Sequence, residues 1–255
     1  MEWYWILTIV LGSLLLLFLL SIIFYKPFFK RFWDIFLALL ALSVFSLLFI
    51  VLTIVGAIAM KGNPFFVQKR PGKKNKKTGK EKMFYLIKFR TMSNAKDKDG
   101  NFLPDEQRLN KYGKFLRATS LDEFPEALNI IKGDMSVIGP RPQLIRDLVF
   151  MNEEQKQRHN VRPGLSGLAQ VNGRNNITWE QKFEYDLQYI NHISIWKDIG
   201  LIFKTIGKMF ARSDVTREGT DSDIDFGDWL LQEGKINQED YIKTLAKVAY
   251  HNGKI

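Results

Sequence analysis

The chain has no cysteine. Disulfide frameworks, thiolate nucleophiles and cysteine-based zinc sites are therefore excluded. Histidine is scarce: His159, His192 and His251 are scattered and form no ligand-spaced cluster, which argues against a histidine-held metal. A hard cation held by carboxylates stays open. Neither a phosphate-binding P-loop nor the Gly-x-Gly-x-x-Gly dinucleotide fingerprint occurs. Lysine and arginine are missing from the first 25 positions, although the 255 residues together carry a net charge of +10. The basic excess belongs to the rest of the chain and suits phosphate-bearing partners: lipid headgroups, nucleotides or nucleic acid.

A long apolar run fills this start. Trp5 to Tyr25 is interrupted only by Thr8, Gly12, Ser13 and Ser21, and about 20 such residues cross the core of a bilayer. The run has no basic start and no small-residue cleavage site, so it reads as a transmembrane helix rather than a removed signal peptide. Trp3, Tyr4, Trp5 and Tyr25 sit at its ends, as interfacial aromatics do. A second run, residues 35–59, is also long enough to span, but both of its flanks are basic. Lys26, Lys30 and Arg31 precede it; Lys61, Lys69, Arg70, Lys73, Lys74, Lys76 and Lys77 follow it. Basic flanks favour the cytoplasmic side, and one segment keeps both there by entering and returning. The expectation is a re-entrant helix, with Asp34 at the interface and Ser46 as a polar bend point. An ordinary helical hairpin with its basic loop outside is the alternative.

Downstream, residues 64–70 and 82–92 alternate apolar and polar side chains and read as a β-hairpin around the basic loop 71–80. Lys88 and Arg90, two apart, share a strand face. Residues 94–105 form a polar loop, and 106–117 a short helix that brings Arg117 towards an acidic pair. Gly139-Pro140-Arg141-Pro142 is a rigid turn displaying one arginine, whose planar fork suits phosphate oxygens; a structural arginine clamping loop carbonyls is the alternative. Residues 153–160 read as a polar helix. Two glycine-marked loops, 161–167 and 170–175, carry Arg162 and Arg174, and glycine lets backbone N–H groups approach an anion. Residues 179–190 and 195–210 have helical periodicity. The second is apolar along one side, with Lys197, Lys204, Lys208 and Arg212 on the other, a pattern that suits a membrane surface or a helix packed on a core. Asp198 lies beside its apolar face, where an acid needs a partner. An acidic tail starts at Glu218 and turns helical over 238–250, an appendage suited to an oligomer or partner contact.

The chain is organised around Ser120-Leu121-Asp122-Glu123-Phe124-Pro125. It precedes a helical run, 126–131, that closes on Gly133. Acids in a first turn face unpaired N–H groups and the positive end of the helix dipole, an environment expected to favour their ionised form. Ser120-x-x-Glu123 also matches a capping box, which carries no chemistry. Pro125 fits better if the helix starts at Glu123 or Phe124, which leaves both acids at its lip, free to face a ligand. A carboxylate pair with arginines can hold Mg²⁺ and a pyrophosphate. An aspartate can also attack phosphorus, with cations stabilising the charge that develops. Joined to a membrane anchor, this points to phosphoryl or phospho-sugar transfer at a bilayer surface. Two rivals are a membrane-tethered nucleic-acid binder, which leaves the acid pair unexplained, and a scaffold for other enzymes built on the acidic tail.

Several stretches carry a resemblance: Arg117-x-x-Ser-Leu-Asp122-Glu123, Lys132-Gly-Asp-Met-Ser, Gly-Pro-Arg141-Pro, Arg162-Pro-Gly-Leu-Ser-Gly, Gln-Val-Asn-Gly-Arg174 and Lys88-Phe-Arg90-Thr-Met. From about Lys30 to Arg212 the chain resembles the bacterial sugar transferase family, the small monotopic phosphoglycosyl transferases, and within it the members that start glycan assembly with an acetylated amino sugar such as diacetylbacillosamine. The resemblance implies transfer of a phospho-sugar from a UDP-sugar to undecaprenyl phosphate, with release of UMP. Asp122 would be the nucleophile, and Asp122 and Glu123 would hold Mg²⁺. Lys88, Arg90, Arg117, Arg141, Arg174 and Asp198 would bind substrate. The family breaks its re-entrant helix with Ser-Pro; here Ser46-Leu47 lacks the proline. The expected architecture is α+β and mainly helical: a transmembrane helix (1–29), a re-entrant helix (30–61), a cytoplasmic transferase domain with a small antiparallel hairpin and interfacial amphipathic helices (62–216), and a C-terminal tail (217–255). The expected setting is the cytoplasmic face of a bacterial inner membrane, with the bilayer and a second copy of the chain as partners and no nucleic acid.

Overall fold

The computed structural model describes residues 2–173, 177–211 and 224–251. The apolar start forms one uninterrupted helix, α1 (Glu2–Ile23), which is exposed from Trp3 to Leu19 and buries Ser21 in its last turn. It is the one described helix that is by itself long and apolar enough to cross a membrane. A π-helical turn, Tyr25–Phe29, joins it to α2 (Lys30–Val44). The second apolar run is two helices: α2 meets α3 (Ser46–Ala59) at 69°, and Phe45 leaves helical geometry between them (φ −102°, ψ 23°).

No proline makes this bend. Each leg is fastened to the rest of the protein instead. On α2, Arg31 donates to the carbonyls of Met135 (3.3 Å) and Ile131 (3.1 Å), while Asp34 accepts from Ser136 Oγ and from the N–H of Val137. On α3, the Tyr112 hydroxyl donates to the Leu52 carbonyl (2.8 Å), and Asn110 Nδ2 donates to the Ala59 carbonyl at the helix end (3.1 Å). Gly56 makes room for that hydroxyl, since a Cβ there would lie 2.7 Å from it.

The expected hairpin is present, with shifted bounds. β1 (Phe65–Lys74) pairs antiparallel with β2 (Glu81–Phe89), Phe65 opposite Phe89. β1 therefore runs on into the stretch expected as loop, and the register shifts between Pro71 and Lys74, where proline cannot donate to a ladder. Phe84, Leu86 and Phe89 point inward. The first two join Ala38, Ala127, Ile130 and Met135 in one core cluster; Phe89 joins Leu52 and Leu116 in another.

The single helix expected over 106–117 is two, α4 (Asp105–Arg108) and α5 (Lys111–Thr119). Asn110 separates them by capping α5: its side chain accepts from the N–H of Gly113. Ser120 ends α5 in the left-handed conformation (φ 55°) and makes no side-chain cap to the turn that follows, so the capping-box reading of Ser120-x-x-Glu123 does not hold. Leu121–Glu123 is a 3-10 turn; α6 (Glu126–Lys132) then starts after Pro125 and closes on Gly133 (φ 99°).

A second sheet went unanticipated. β3 (Ser136–Ile138) runs parallel to β4 (Gly164–Ser166). Glycines permit the approach: a Cβ on Gly164 would lie 2.1 Å from the Gly139 nitrogen, and one on Gly167 2.1 Å from the Gly139 carbonyl. These glycines pack backbone on backbone, which is a different use from the anion loops expected of them. The short helix α7 (Ile145–Leu148) and a 3-10 turn at Gln155–Asn160 lie between the two strands in sequence, and α8 (Leu168–Val171) follows β4. α9 (Trp179–Asn191) and α10 (Ile195–Ala211) match the expected periodicity. In the tail, α11 (Phe226–Gln232) and α12 (Gln238–His251) follow.

Candidate active site

One side chain sets the register of the site. Asn129 of α6 is fully buried; its Nδ2 donates to the Tyr85 carbonyl (2.7 Å) and its Oδ1 accepts from the Ile87 N–H (3.0 Å). It bonds the edge of β2 as a strand neighbour would, which leaves the next residue, Lys88, over the start of α6. The Lys88 ammonium lies 2.8 Å from Glu123 Oε1, 3.2 Å from Glu126 Oε1 and 4.0 Å from Asp122 Oδ2. Three carboxylates thus converge on one cation. Burial would lower the Lys88 pKa, but Glu123 and Glu126 outweigh it and raise it.

A second cation reaches the cluster from the Gly-Pro-Arg-Pro turn. Arg141 Nη2 is 3.0 Å from Glu123 Oε1, and Glu123 raises its pKa. The turn is held by its backbone. Arg158 Nη2 donates to the Arg141 carbonyl (2.6 Å) and pairs with buried Asp186 (2.7 Å). Arg70 Nη1 donates to the Pro142 carbonyl (3.2 Å). Both arginine readings therefore apply, to different residues: Arg141 faces the acids, while Arg158, Arg70 and also Arg162, whose Nε donates to the Gly133 carbonyl (2.9 Å), clamp loops.

The acids differ in access. Their side chains are 18 % (Asp122), 11 % (Glu123) and 3 % (Glu126) exposed, so Asp122 is the one most open to a ligand. Burial, then Glu123, raises the Asp122 pKa, against the pull of Lys88, Arg141 and Arg117. The helix start was expected to favour the ionised form. Burial prevails because Asp122 stands in a separate 3-10 turn, off the end of a seven-residue helix. Glu126 is pushed up to about 7, mainly by burial.

Arg117 holds Thr91 Oγ1 through Nε (3.2 Å) and is near enough to Asp122 to lower its pKa. Arg90 donates to the Phe65 carbonyl (3.4 Å). Asp198 serves elsewhere: it accepts from the hydroxyls of Tyr25 and Tyr189 (2.7 Å each) and pairs with Lys30 (2.5 Å), tying the π-helical turn to α9 and α10. Its expected place among the substrate-binding residues does not fit these buried contacts, which occupy both of its oxygens. Arg174 lies outside the described residues. Glu126, Asn129 and the Arg158–Asp186 pair were not anticipated. For Glu126 a signal existed: it follows Asp122 by four and Glu123 by three, the spacing of one helical face.

The family described as bacterial sugar transferase matches residues 25–212. The chain belongs to that family. This sugar transferase is 42% identical over 188 residues to the uncharacterized sugar transferase EpsL of Bacillus subtilis (strain 168), a match covering 73% of this chain and 89% of the relative. It is 37% identical over 194 residues to the UDP-glucose:undecaprenyl-phosphate glucose-1-phosphate transferase of Klebsiella pneumoniae, covering 71% and 40%. With the UDP-N-acetylgalactosamine-undecaprenyl-phosphate N-acetylgalactosaminephosphotransferase of Aeromonas hydrophila it shares 35% over 190 residues, covering 70% and 43%. The sugar transferase thus spans most of EpsL and about two-fifths of the other two relatives. The cluster around Lys88, and the arginine turn beside it, lie inside the matched region.

Proposed function

We propose that this sugar transferase is a phosphoglycosyl transferase that moves a phospho-sugar from a UDP-sugar to undecaprenyl phosphate, giving undecaprenyl-diphosphate-sugar and UMP. The observation that carries the reading is the convergence of Asp122, Glu123 and Glu126 on Lys88, with Arg141 at its edge. Relatives named for UDP-sugar and undecaprenyl-phosphate transfer support it.

In the first step an Asp122 oxygen attacks the phosphorus that bears the sugar. The bond from that phosphorus to the bridging oxygen breaks, and UMP leaves with the oxygen and its electron pair. In the second, an oxygen of undecaprenyl phosphate attacks the same phosphorus, and the bond to Asp122 breaks, restoring the carboxylate. Lys88, Arg141 and Arg117 favour the ionised nucleophile against burial and stabilise charge on the transferring group. Asp122 and Glu123 fit Mg²⁺, because their oxygens already converge on a cation and are hard donors. Among the described residues no three side chains form a metal site on their own, so phosphate and water oxygens would complete the shell. Bound there, the ion supplies charge neutralisation for the pyrophosphate.

The proposed setting is the cytoplasmic face of a bacterial inner membrane, at the first membrane step of glycan assembly. α1 spans, and the bent α2–α3 pair dips in and returns. The 69° bend supports this, as do the exposed apolar side chains Phe32, Leu47, Ile54 and Ile58 along the pair.

The test uses full-length protein in phosphatidylglycerol-containing nanodiscs and a UDP-sugar radiolabelled at the sugar-bearing phosphorus. Without acceptor, label should appear on the protein; undecaprenyl phosphate should then move it to lipid. Asp122→Asn should lower UMP release by about 10³-fold or more with insertion unchanged. Turnover within a few fold of wild type in Asp122→Asn would sink the reading.

A further inference from the structure

A groove of about 490 Å³ starts at the acid-bearing turn, where Ser120 and Glu123 line it, and ends between the α2–α3 bend and α10. Its walls are mostly apolar, with Ser166, Gln170, Thr205 and Lys208 among them. Ala38 and Ala41, one turn apart on α2, form one side, and Ile202 and Ile206 of α10 the other. The far end is edged by Phe45, Ile206 and Met209, all exposed. It therefore opens onto the apolar outer surface of the bent pair and α10, while its inner end meets Glu123 beside Lys88 and Arg141.

This polarity selects the occupant. A UDP-sugar is covered with hydroxyls and charge, and an apolar wall would strip their water without replacing the hydrogen bonds. An amphiphile with a phosphate at one end of a long hydrocarbon chain matches both ends. We propose that the groove holds the first isoprene units of the lipid acceptor, those next to its phosphate, and that the phosphate lies towards Lys88 and Arg141. The proposal rests on the phosphoglycosyl transfer reading. The groove is finite, so units beyond it continue into the surrounding lipid, and acceptor recognition should rise with chain length only until the groove is filled. Its width depends on small side chains: Ala38 and Ala41 on α2 and Ala127 on α6 stand where larger ones would close it.

The experiment uses the full chain in phosphatidylcholine–phosphatidylglycerol nanodiscs and an undecaprenyl phosphate analogue carrying a diazirine in its first isoprene unit. Mass spectrometry should place crosslinks on the lining next to the acid-bearing turn, residues 120–127 with Ala38 of α2, and unlabelled undecaprenyl phosphate should compete them away. Crosslinks confined to the outer faces of α1 or α3, or unaffected by competition, would overturn the groove. In a second measurement, Ala41→Trp should raise KM for undecaprenyl phosphate about tenfold, or 1.4 kcal/mol, and leave KM for the UDP-sugar unchanged; an unchanged acceptor KM, or an equal rise in both, would count against the proposal. The two readings fail separately. Competed crosslinks in the groove without any transfer from UDP-sugar would remove the catalytic reading and leave the lipid site. Transfer without groove crosslinks would do the reverse.

Discussion

Glu126 keeps its proton to about pH 7 in the folded protein, whereas an ordinary glutamate loses it near 4.5. Between those values the native chain binds a proton that the unfolded chain has released. The contribution of Glu126 to native stability should therefore fall as pH rises from about 4.5 to about 7 and level off above. Glu126→Gln should flatten the part of this slope that belongs to the site, as read from urea midpoints between pH 4 and 8. An unaltered slope would mean that the residue titrates as if it were in water. The same variant should shift the acidic limb of the pH–rate profile, because below pH 7 a neutral Glu126 leaves Lys88 to Glu123 and Asp122 alone. Arg158 is a second case at this scale. Burial pushes its partner Asp186 up to about 6 even with the guanidinium present. Arg158→Met would leave that carboxylate buried without its partner, at a cost of about 3–5 kcal/mol in denaturant unfolding, and would free the Arg141 carbonyl. Asp122, Glu123 and Arg141 stand out in the sequence by residue type and turn chemistry, and Lys88 through the family resemblance. Glu126 carries only its helical spacing from the acid pair, and a glutamate in a helical run is ordinary until a strand places a lysine over it. That placement depends on Asn129, a tertiary contact with no local signature.

Elements were easier to find than their ends. The apolar runs, the hairpin, α9 and α10 follow from hydrophobic periodicity. β3 and β4 escaped because three-residue strands carry too little pattern, and their glycines look like loop glycines until the two backbones meet. The bend between α2 and α3 shows why local sequence alone is a poor guide there. With leucine after Ser46, nothing at Ser46-Leu47 forces a kink; the two legs are turned by what they are bonded to. Tyr112→Phe removes one buried hydrogen bond to α3 and should cost about 1 kcal/mol. Gly56→Ala should displace the same hydroxyl, since the new methyl would lie 2.7 Å from it. The two losses should not add in the double variant, as measured by thermal melts in one detergent. Full additivity would show that the hydroxyl does not hold the helix. α10 packs on the core along one side, as one of its two sequence readings has it. Ile195 and Leu201 are buried, while Trp196 (61 % exposed) and Phe203 (69 %) face outward with Ile199 and Ile206. That outward apolar side is the one the proposed membrane setting would use.

At the scale of the whole molecule, the tail is the part whose role changes most. It was expected as an appendage for an oligomer or partner. Residues 212–223 lie outside those described, but α11 and α12 pack onto the rest of the chain. Phe226 shares a buried cluster with Leu148, Met151, Trp179 and Phe183, and its N–H donates to Asp147 (2.9 Å). Arg146 pairs with Asp225 (2.6 Å) and Asp228 (3.0 Å), and Tyr241 stacks on Phe150. All of these partners belong to the chain that follows the Arg141 turn or to α9, within the region shared by the family, whereas the tail lies beyond it. A segment outside the family region thus completes a core next to the site. Phe226→Ala would empty the middle of that cluster and should destabilise by about 3–5 kcal/mol. The consequence for activity separates two roles. If the tail only recruited other proteins, Phe226→Ala would leave purified transfer unchanged at any temperature. If it supports the segment carrying Arg141, activity should be lost several degrees below wild type, in step with unfolding of α7 read by hydrogen exchange over residues 145–151. Loss of transfer in cells with unaltered activity and exchange in purified protein would assign the tail to recruitment instead.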